Sequence, residues 1–191
     1  MRFEKGHKEA TRQKIIETAA ARFRKDGIAA VGIAGLMADA GLTHGGFYAH
    51  FGSKEELVRE ALMAGAAGSR ARLERAGADA ASGLESYIRA YLRPAHRDAP
   101  ERGCIIATLG AELARHAPET RMAFSAQINT LLDRIAEMLP ADRGAADRRA
   151  IAIGIFGVLS GTLQLARAVT DPDESGRILE SGVAAALKLA E

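Results

Sequence analysis

The sequence predicts an all-α protein of about nine helices. Three observations carry that expectation. Hydrophobic residues fill 48% of the 191 positions but only 5% are aromatic, and alanine rather than β-branched residues supplies much of the remainder. Such a composition suits close-packed helices and disfavours strands. Apolar residues recur at spacings of three and four along most of the chain. Glycine and proline then punctuate it, at Gly27, Gly41, Gly52, Pro94, Pro100, Gly103, Pro118, Pro140 and Pro172.

In order, residues 1–8 read as a mobile basic tail, and a first helix spans about Lys8–Lys25. Ile15, Ile16, Ala19, Ala20 and Phe23 form its stripe, and Asp26-Gly27 ends it. After a connector over Ile28–Val31, Gly32 is an acceptable cap for a short helix carrying Ile33, Leu36, Met37 and Ala40. Gly41 ends that helix, and Thr43 stands where its hydroxyl can cap the next. This third helix reaches only to about Phe51, because Gly52 stops it, so it is too short to stand alone. Phe47 and Phe51 face one way as core anchors, while Thr43, His44, Gly46, Tyr48 and His50 cover the rest. Helix, glycine turn and helix together make a helix-turn-helix unit, whose second helix reads the DNA major groove.

Ser53 and Glu56 have the spacing of a capping box. They open a long helix, about Lys54–Arg75, with Leu57, Val58, Ala61, Leu62, Gly65 and Leu73 as its apolar members, followed by a small-residue connector from Gly77 to Gly83. A fifth helix is expected over Leu84–Arg97, a sixth over Cys104–Leu113, and a seventh from Pro118, striped by Phe124, Ile128, Leu131, Leu132, Ile135 and Met138. The last two, Arg148–Val169 and Ser175–Ala190, carry Ala152, Phe156, Leu159 and Leu163, then Leu179, Val183 and Leu187. Stripes of this kind need a partner, which is either the rest of one monomeric core or a second subunit. The division follows: residues 1–52 as a helix-turn-helix domain, 53–191 as a helical bundle domain.

The formal charge of +2 is too small to specify a nucleic-acid partner, but its distribution is uneven. Residues 1–25 carry eight basic side chains against three acidic ones, a net of +5, leaving about −3 for the rest. That bias beside a helix-turn-helix reads as a phosphate footprint, with a solvated helix face as the plain alternative. No apolar run approaches the roughly 20 residues that span a bilayer, and the first residues lack the apolar stretch of a signal peptide. Cys104 is the single cysteine, and no Cys/His grouping has zinc spacing. A soluble, cytoplasmic protein without metal, cofactor or membrane partner is expected. Nothing assembles an active site either: Gly154, Gly157 and Gly161 lie inside a helix rather than in a nucleotide loop, Glu112 and His116 suit an ion pair, and Asp171 and Asp173 suit caps.

The ordered run Phe47-Tyr48-x-His50-Phe51-x-Ser53-Lys54-x-x-Leu57, at its distance from the first helix, resembles the amino-terminal domain of TetR-type bacterial transcriptional regulators over Thr11 to Leu62. The resemblance implies a homodimeric regulator of double-stranded DNA, repressing by default, that binds a palindromic operator and is released by a small-molecule effector. It assigns phosphate contacts to Thr43, Tyr48, His50 and Lys54. Base reading falls to His44 and Gly46, with Gly45 allowing close approach and Thr43 as a further reader. Gly32 and Ala34 depart from the polar residues common in relatives, which removes side-chain contacts from the second helix. Candidate effector-pocket residues are Tyr87, Tyr91, Cys104, Thr108, Met122, Phe124 and Gln164, with ordinary core packing as the alternative for each. Ala152, Phe156, Leu159, Leu163, Leu179, Val183 and Leu187 are the expected dimer face. Two other readings stay open: a DNA-binding dimer with no ligand, and a thiol sensor at Cys104, which follows Gly103 at an expected helix start.

Overall fold

The computed structural model describes residues 2–77 and 83–191, with side chains described from Gly6 to Ala66 and from Gly83 onward. The expected residues 78–82 of the connector and the side chain of Leu73 lie outside the described residues. All regular structure among the described residues is helical: α1 (Arg2–Asp26), α2 (Ile33–Asp39), a 3-10 helix (His44–Ala49), α3 (Lys54–Gly77), α4 (Gly83–Tyr91), α5 (Pro94–Arg97), a 3-10 turn (Pro100–Arg102), α6 (Ile105–Leu113), α7 (Pro118–Glu137), α8 (Ala145–Ala168) and α9 (Pro172–Ala190).

Local chemistry explains most of the boundaries. Gly27 ends α1 in the left-handed region at φ +84, and its N–H bonds to Phe23 O at 2.9 Å. At the end of α2, Gly41 has φ +70 and donates to Ala38 O at 2.9 Å, while Leu42 N–H reaches Met37 O at 2.8 Å. This is a complete Schellman closure, which turns the chain sharply into the next element. Ser53 Oγ accepts from Glu56 N at 3.1 Å, and Glu56 Oε2 accepts from Gly52 N at 2.8 Å, so the expected capping box forms with its return bond one residue early. Pro118 and Pro172 each sit in the first turn of their helices, and Asp171 caps α9 through Asp173 N at 2.9 Å.

Four expectations need correction. Helix α1 begins at Arg2, in place of a loose tail over residues 1–8. The expected helix over Leu84–Arg97 is split, because Pro94 restarts the chain as the separate turn α5. The third element is a 3-10 helix, not an α-helix: two adjacent glycines give little helical propensity, and the segment closes with Gly46 N–H to Thr43 O at 3.0 Å. Thr43 stands at its N-cap in extended backbone, but its hydroxyl makes no capping bond.

Helix α8 also departs from expectation, being long and apolar enough to cross a membrane by length and composition, with 33% of its most apolar stretch buried. A core helix of a soluble protein meets the same description.

Two cores hold the molecule. The first gathers Ile15, Ala19 and Phe23 of α1, Leu36 and Met37 of α2, Phe47, Phe51, and Leu57 and Leu62 of α3, all at most 2% exposed. Ile105, Leu109 and Leu113 of α6 and Phe124 of α7 belong to it too, so the first core reaches past residue 52. The second lies among α4, α6, α7, α8 and α9 around Ile88, Ile135, Ile155, Leu159 and Leu163, each 0% exposed. Full burial of one such side chain stabilises by about 1.5–3 kcal/mol.

Five of the residues expected on a dimer face are buried within the chain itself: Ala152, Leu159 and Leu163 are 0% exposed, Leu179 3% and Phe156 7%. Val183 and Leu187 are half-buried against the second core. The large apolar side chains that α8 and α9 leave exposed are Ile153, Leu165 and Leu189.

Candidate functional site

The 3-10 helix is held from inside and bare outside. Phe47 and Phe51 stack at 5.5 Å between ring centroids and are 0% and 1% exposed. Next to them Tyr48 stands 63% exposed, set edge-on to Phe47 at 5.2 Å and to His44 at 6.3 Å. Thr43, His44 and Gly45 are exposed, while Gly46 and His50 are half-buried. A side chain at Gly46 would come within 3.6 Å of Thr43 Oγ1 and 3.7 Å of Met37 Cε, ordinary contact, whereas Gly45 faces open space. Phenol, imidazole, hydroxyl and bare backbone thus share one small convex face.

Lys54 lies at the edge of that face with one donor committed: Nζ donates to Ile28 O at 2.5 Å. An ammonium carries three donors, so two remain. The basic footprint is narrower than the sequence suggests. Arg12 pairs with Glu60 at 3.0 Å and lies over the Phe51 ring at 4.8 Å, and the hydrogen bond it donates to Glu60 raises its pKa. Arg22 pairs with Asp26 and Asp39 across α1 and α2, and Arg24 Nε donates to Glu101 O at 2.7 Å. Lys8, Lys14 and Lys25 are exposed, and Lys14 Nζ lies 3.7 Å from where a side chain at Gly41 would begin, beside the helix-turn-helix bend. Its place in the basic run of α1 was the available signal for that residue.

Polar clasps tie the helix-turn-helix region to α6 and to the start of α7. Glu112 of α6 accepts from Ile28 N at 2.9 Å and Ala29 N at 2.5 Å, gripping the link between α1 and α2. A side chain at Gly27 would come within 3.3 Å of the same carboxylate, so that glycine admits both the turn and the clasp. The expected Glu112–His116 pair does not form; His116 Nδ1 meets Glu55 at 3.0 Å, and Thr120 donates to Glu55 at 2.5 Å. Partial burial works to raise the Glu55 pKa, but the bonds from Thr120 and His116 outweigh it and hold the carboxyl below its usual range. Glu112→Ala is expected to cost about 1–3 kcal/mol by leaving the Ile28 N–H unpaired, while water can take over at the exposed Ala29. Urea unfolding and amide exchange check this, and unchanged protection at Ile28 would refute the clasp.

The candidate effector residues are only partly brought together. Tyr87, Tyr91 and Cys104 meet in the second core, with the two tyrosine rings 5.9 Å apart and Tyr91 edge-on to Phe156 at 6.1 Å. Burial pushes the Tyr91 phenol well above its usual pKa, and the neighbouring Cys104 adds to the effect. Cys104 is 1% exposed, so its thiol is shut away from solvent. Thr108 is half-buried and turns its hydroxyl onto its own helix, at Cys104 O, 3.0 Å away. Phe124 belongs to the first core, whereas Met122 is 72% exposed and Gln164 exposed beside Ser160. Those last three depart from the expected cluster because each lies on a helix face turned away from Tyr91. Sequence spacing missed His96, whose Nδ1 donates to Tyr91 O at 2.7 Å and whose Nε2 accepts from Cys104 N at 3.0 Å.

The model of bacterial regulatory proteins of the tetR family matches residues 15–61, and that of the tetracyclin repressor-like C-terminal domain matches residues 80–181, more than half of the chain. The chain belongs to the TetR family. It is therefore a DNA-binding transcriptional regulator, with a helix-turn-helix domain followed by a TetR-type helical domain. Among solved structures, a TetR transcriptional regulator from Chloroflexus aurantiacus J-10-FL is 25% identical, covering 100% of this chain and 95% of that one at a TM-score of 0.78. A TetR transcriptional regulator from Legionella pneumophila shares the fold at 16% identity, covering 93% and 96% with a TM-score of 0.79. So does the reduced form of Escherichia coli NemR, at 19% identity, 95% and 98% coverage and a TM-score of 0.78. No curated protein matches the sequence.

Proposed function

We propose that this TetR-family regulator is a cytoplasmic homodimeric repressor that docks two 3-10 reading helices in successive major grooves of a palindromic operator and leaves it when a small molecule binds. The observation that carries the reading is the exposed face of the 3-10 helix, with Tyr48 63% in solvent above two fully buried phenylalanines. Thr43, Tyr48, His50 and Lys54 contact phosphates, and His44, Gly45 and Gly46, with Thr43, meet base edges. Ile153, Leu165 and Leu189, exposed on α8 and α9, form the contact with the second subunit. That pairing sets the two reading helices about 34–36 Å apart, one turn of B-DNA. The role is regulatory rather than catalytic.

The effector enters the second core near Tyr87 and Tyr91 and acts through differential affinity for two dimer states. A thiol-sensing role is disfavoured by the burial of Cys104 at 1% exposure. The test is operator selection from genomic fragments with the native protein and with Tyr48→Ala. The variant is expected to bind the selected operator more weakly by about 0.5–1.5 kcal/mol per half-site, the net worth of one hydrogen bond. Equal affinity of the two proteins would remove Tyr48 from the interface, and selection of no fragment would remove the reading. A melting screen against metabolites separates ligand release from a ligand-free dimer: an effector raises the melting temperature and weakens operator binding together.

A further inference from the structure

At the far end of α8, beside the first turn of α9 and the short helix α5, lies an open cleft of about 250 Å³ lined by Arg97, Asp98, Arg167, Thr170, Pro172 and Ser175 among others. Its charges are unevenly matched. Arg97 spends its guanidinium on Asp98, at 2.6 and 3.2 Å, and on the Ser175 hydroxyl at 2.8 Å. Ser175 is itself 3% exposed and donates a hydrogen bond to Ala166 O at 2.6 Å. Arg167 has no carboxylate within ion-pair distance among the described residues. It donates from Nε to Arg97 O at 3.0 Å and from Nη2 to His96 O at 2.7 Å. A guanidinium has five N–H donors, so three are left, on a side chain half out of water.

A partly desolvated cation without a counter-ion is an unfavourable arrangement that an anion would relieve. Burial holds the Arg167 pKa below its ordinary value, although Tyr91, Cys104, Asp98 and Glu101 pull the other way. With Arg97 and Arg167 against Asp98, the cleft carries one net positive charge, and the forked guanidinium geometry matches a carboxylate or phosphoryl group. We propose that this cleft binds the oxyanion of a small metabolite, a carboxylate or a phosphoryl group, on Arg167 with Arg97 and Thr170 beside it. Arg167 adjoins the Tyr91–Cys104 cluster through His96, whose carbonyl it bonds, but the proposal does not depend on the effector reading above.

The test uses the full chain without DNA, melted in sodium phosphate, sodium acetate and sodium chloride at equal ionic strength. At saturating anion a rise of about 2–4 °C over chloride is expected, and phosphate against acetate shows which oxyanion is preferred. Phosphate also stabilises proteins generally by exclusion from their surfaces. Thr170→Glu controls for that effect by placing a carboxylate at the exposed mouth of the cleft, and it is expected to abolish the anion-specific rise. Arg167→Lys keeps the charge but not the fork and is expected to weaken binding at least about tenfold in an anion titration. If Arg167→Lys fails to fold, Thr170→Glu decides alone. Equal melting of the native protein in all three salts, or the same rise in native and Thr170→Glu proteins, overturns the proposal. Operator binding is measured separately, so either result leaves the DNA-binding reading to its own test.

Discussion

Phe47→Ala is expected to lower the unfolding free energy by about 3–5 kcal/mol and to abolish operator binding at concentrations where the native protein is saturated. The 3-10 helix has six residues, two of them glycine, and no side-chain cap, so nothing local holds it in shape. Its position rests on Phe47, 0% exposed and stacked on Phe51, with Tyr48 leaning edge-on against the same ring. Removing the ring leaves a cavity and also frees Tyr48 and His44 from the geometry that presents them. Urea unfolding measures the first effect and fluorescence anisotropy with labelled operator the second. A variant with native stability would show that the reading element is held by something other than its phenylalanines.

Gly182→Ala is expected to destabilise through the closest approach of α8 and α9. A side-chain carbon at Gly182 would lie 2.3 Å from Thr162 Cγ2 and 2.8 Å from its Cβ. Because Thr162 is β-branched on a helix, it cannot swing aside freely, and the two helices must move apart. Overpacking of this kind costs about 1–3 kcal/mol. A second substitution, Thr162→Ala, removes two of the three clashing atoms and is expected to recover part of the loss. If the exposed sides of these helices form the dimer, Gly182→Ala also weakens dimerisation, read as a fall in molecular mass by light scattering at micromolar protein. Unchanged melting would mean that the helix pair is looser than these contacts indicate.

What the sequence made legible was punctuation and periodicity. Gly27 and Gly41 mark true left-handed helix ends, Ser53 and Glu56 cap α3, and Pro118 and Pro172 open helices, because each acts through bonds within a few residues. The motif around Tyr48 was legible for the same reason, down to which side of the element is anchored. The type of that element was not, since a two-turn segment with Gly45-Gly46 has no strong preference between α and 3-10 geometry. The stripe of Ala152, Leu159 and Leu163 was found, but a stripe does not say what covers it, and here α9, α7 and α6 of the same chain do. Met122 stands 72% exposed, apart from the buried Tyr87 and Tyr91 with which it was grouped, because side-chain type says nothing about which face of α7 turns inward. Contacts such as Glu112 with Ile28, 84 residues apart, leave no local trace at all.

Helix α6 inserts different sides into different cores, with Ile105, Leu109 and Leu113 in the first and Ala107, together with the preceding Cys104, in the second. Neighbouring positions on a helix point about 100° apart, so a small roll of this rod about its own axis withdraws side chains from one interior as it pushes others deeper into the next. A roll of this one helix would therefore disturb the packing of the DNA-reading half and of the bundle together.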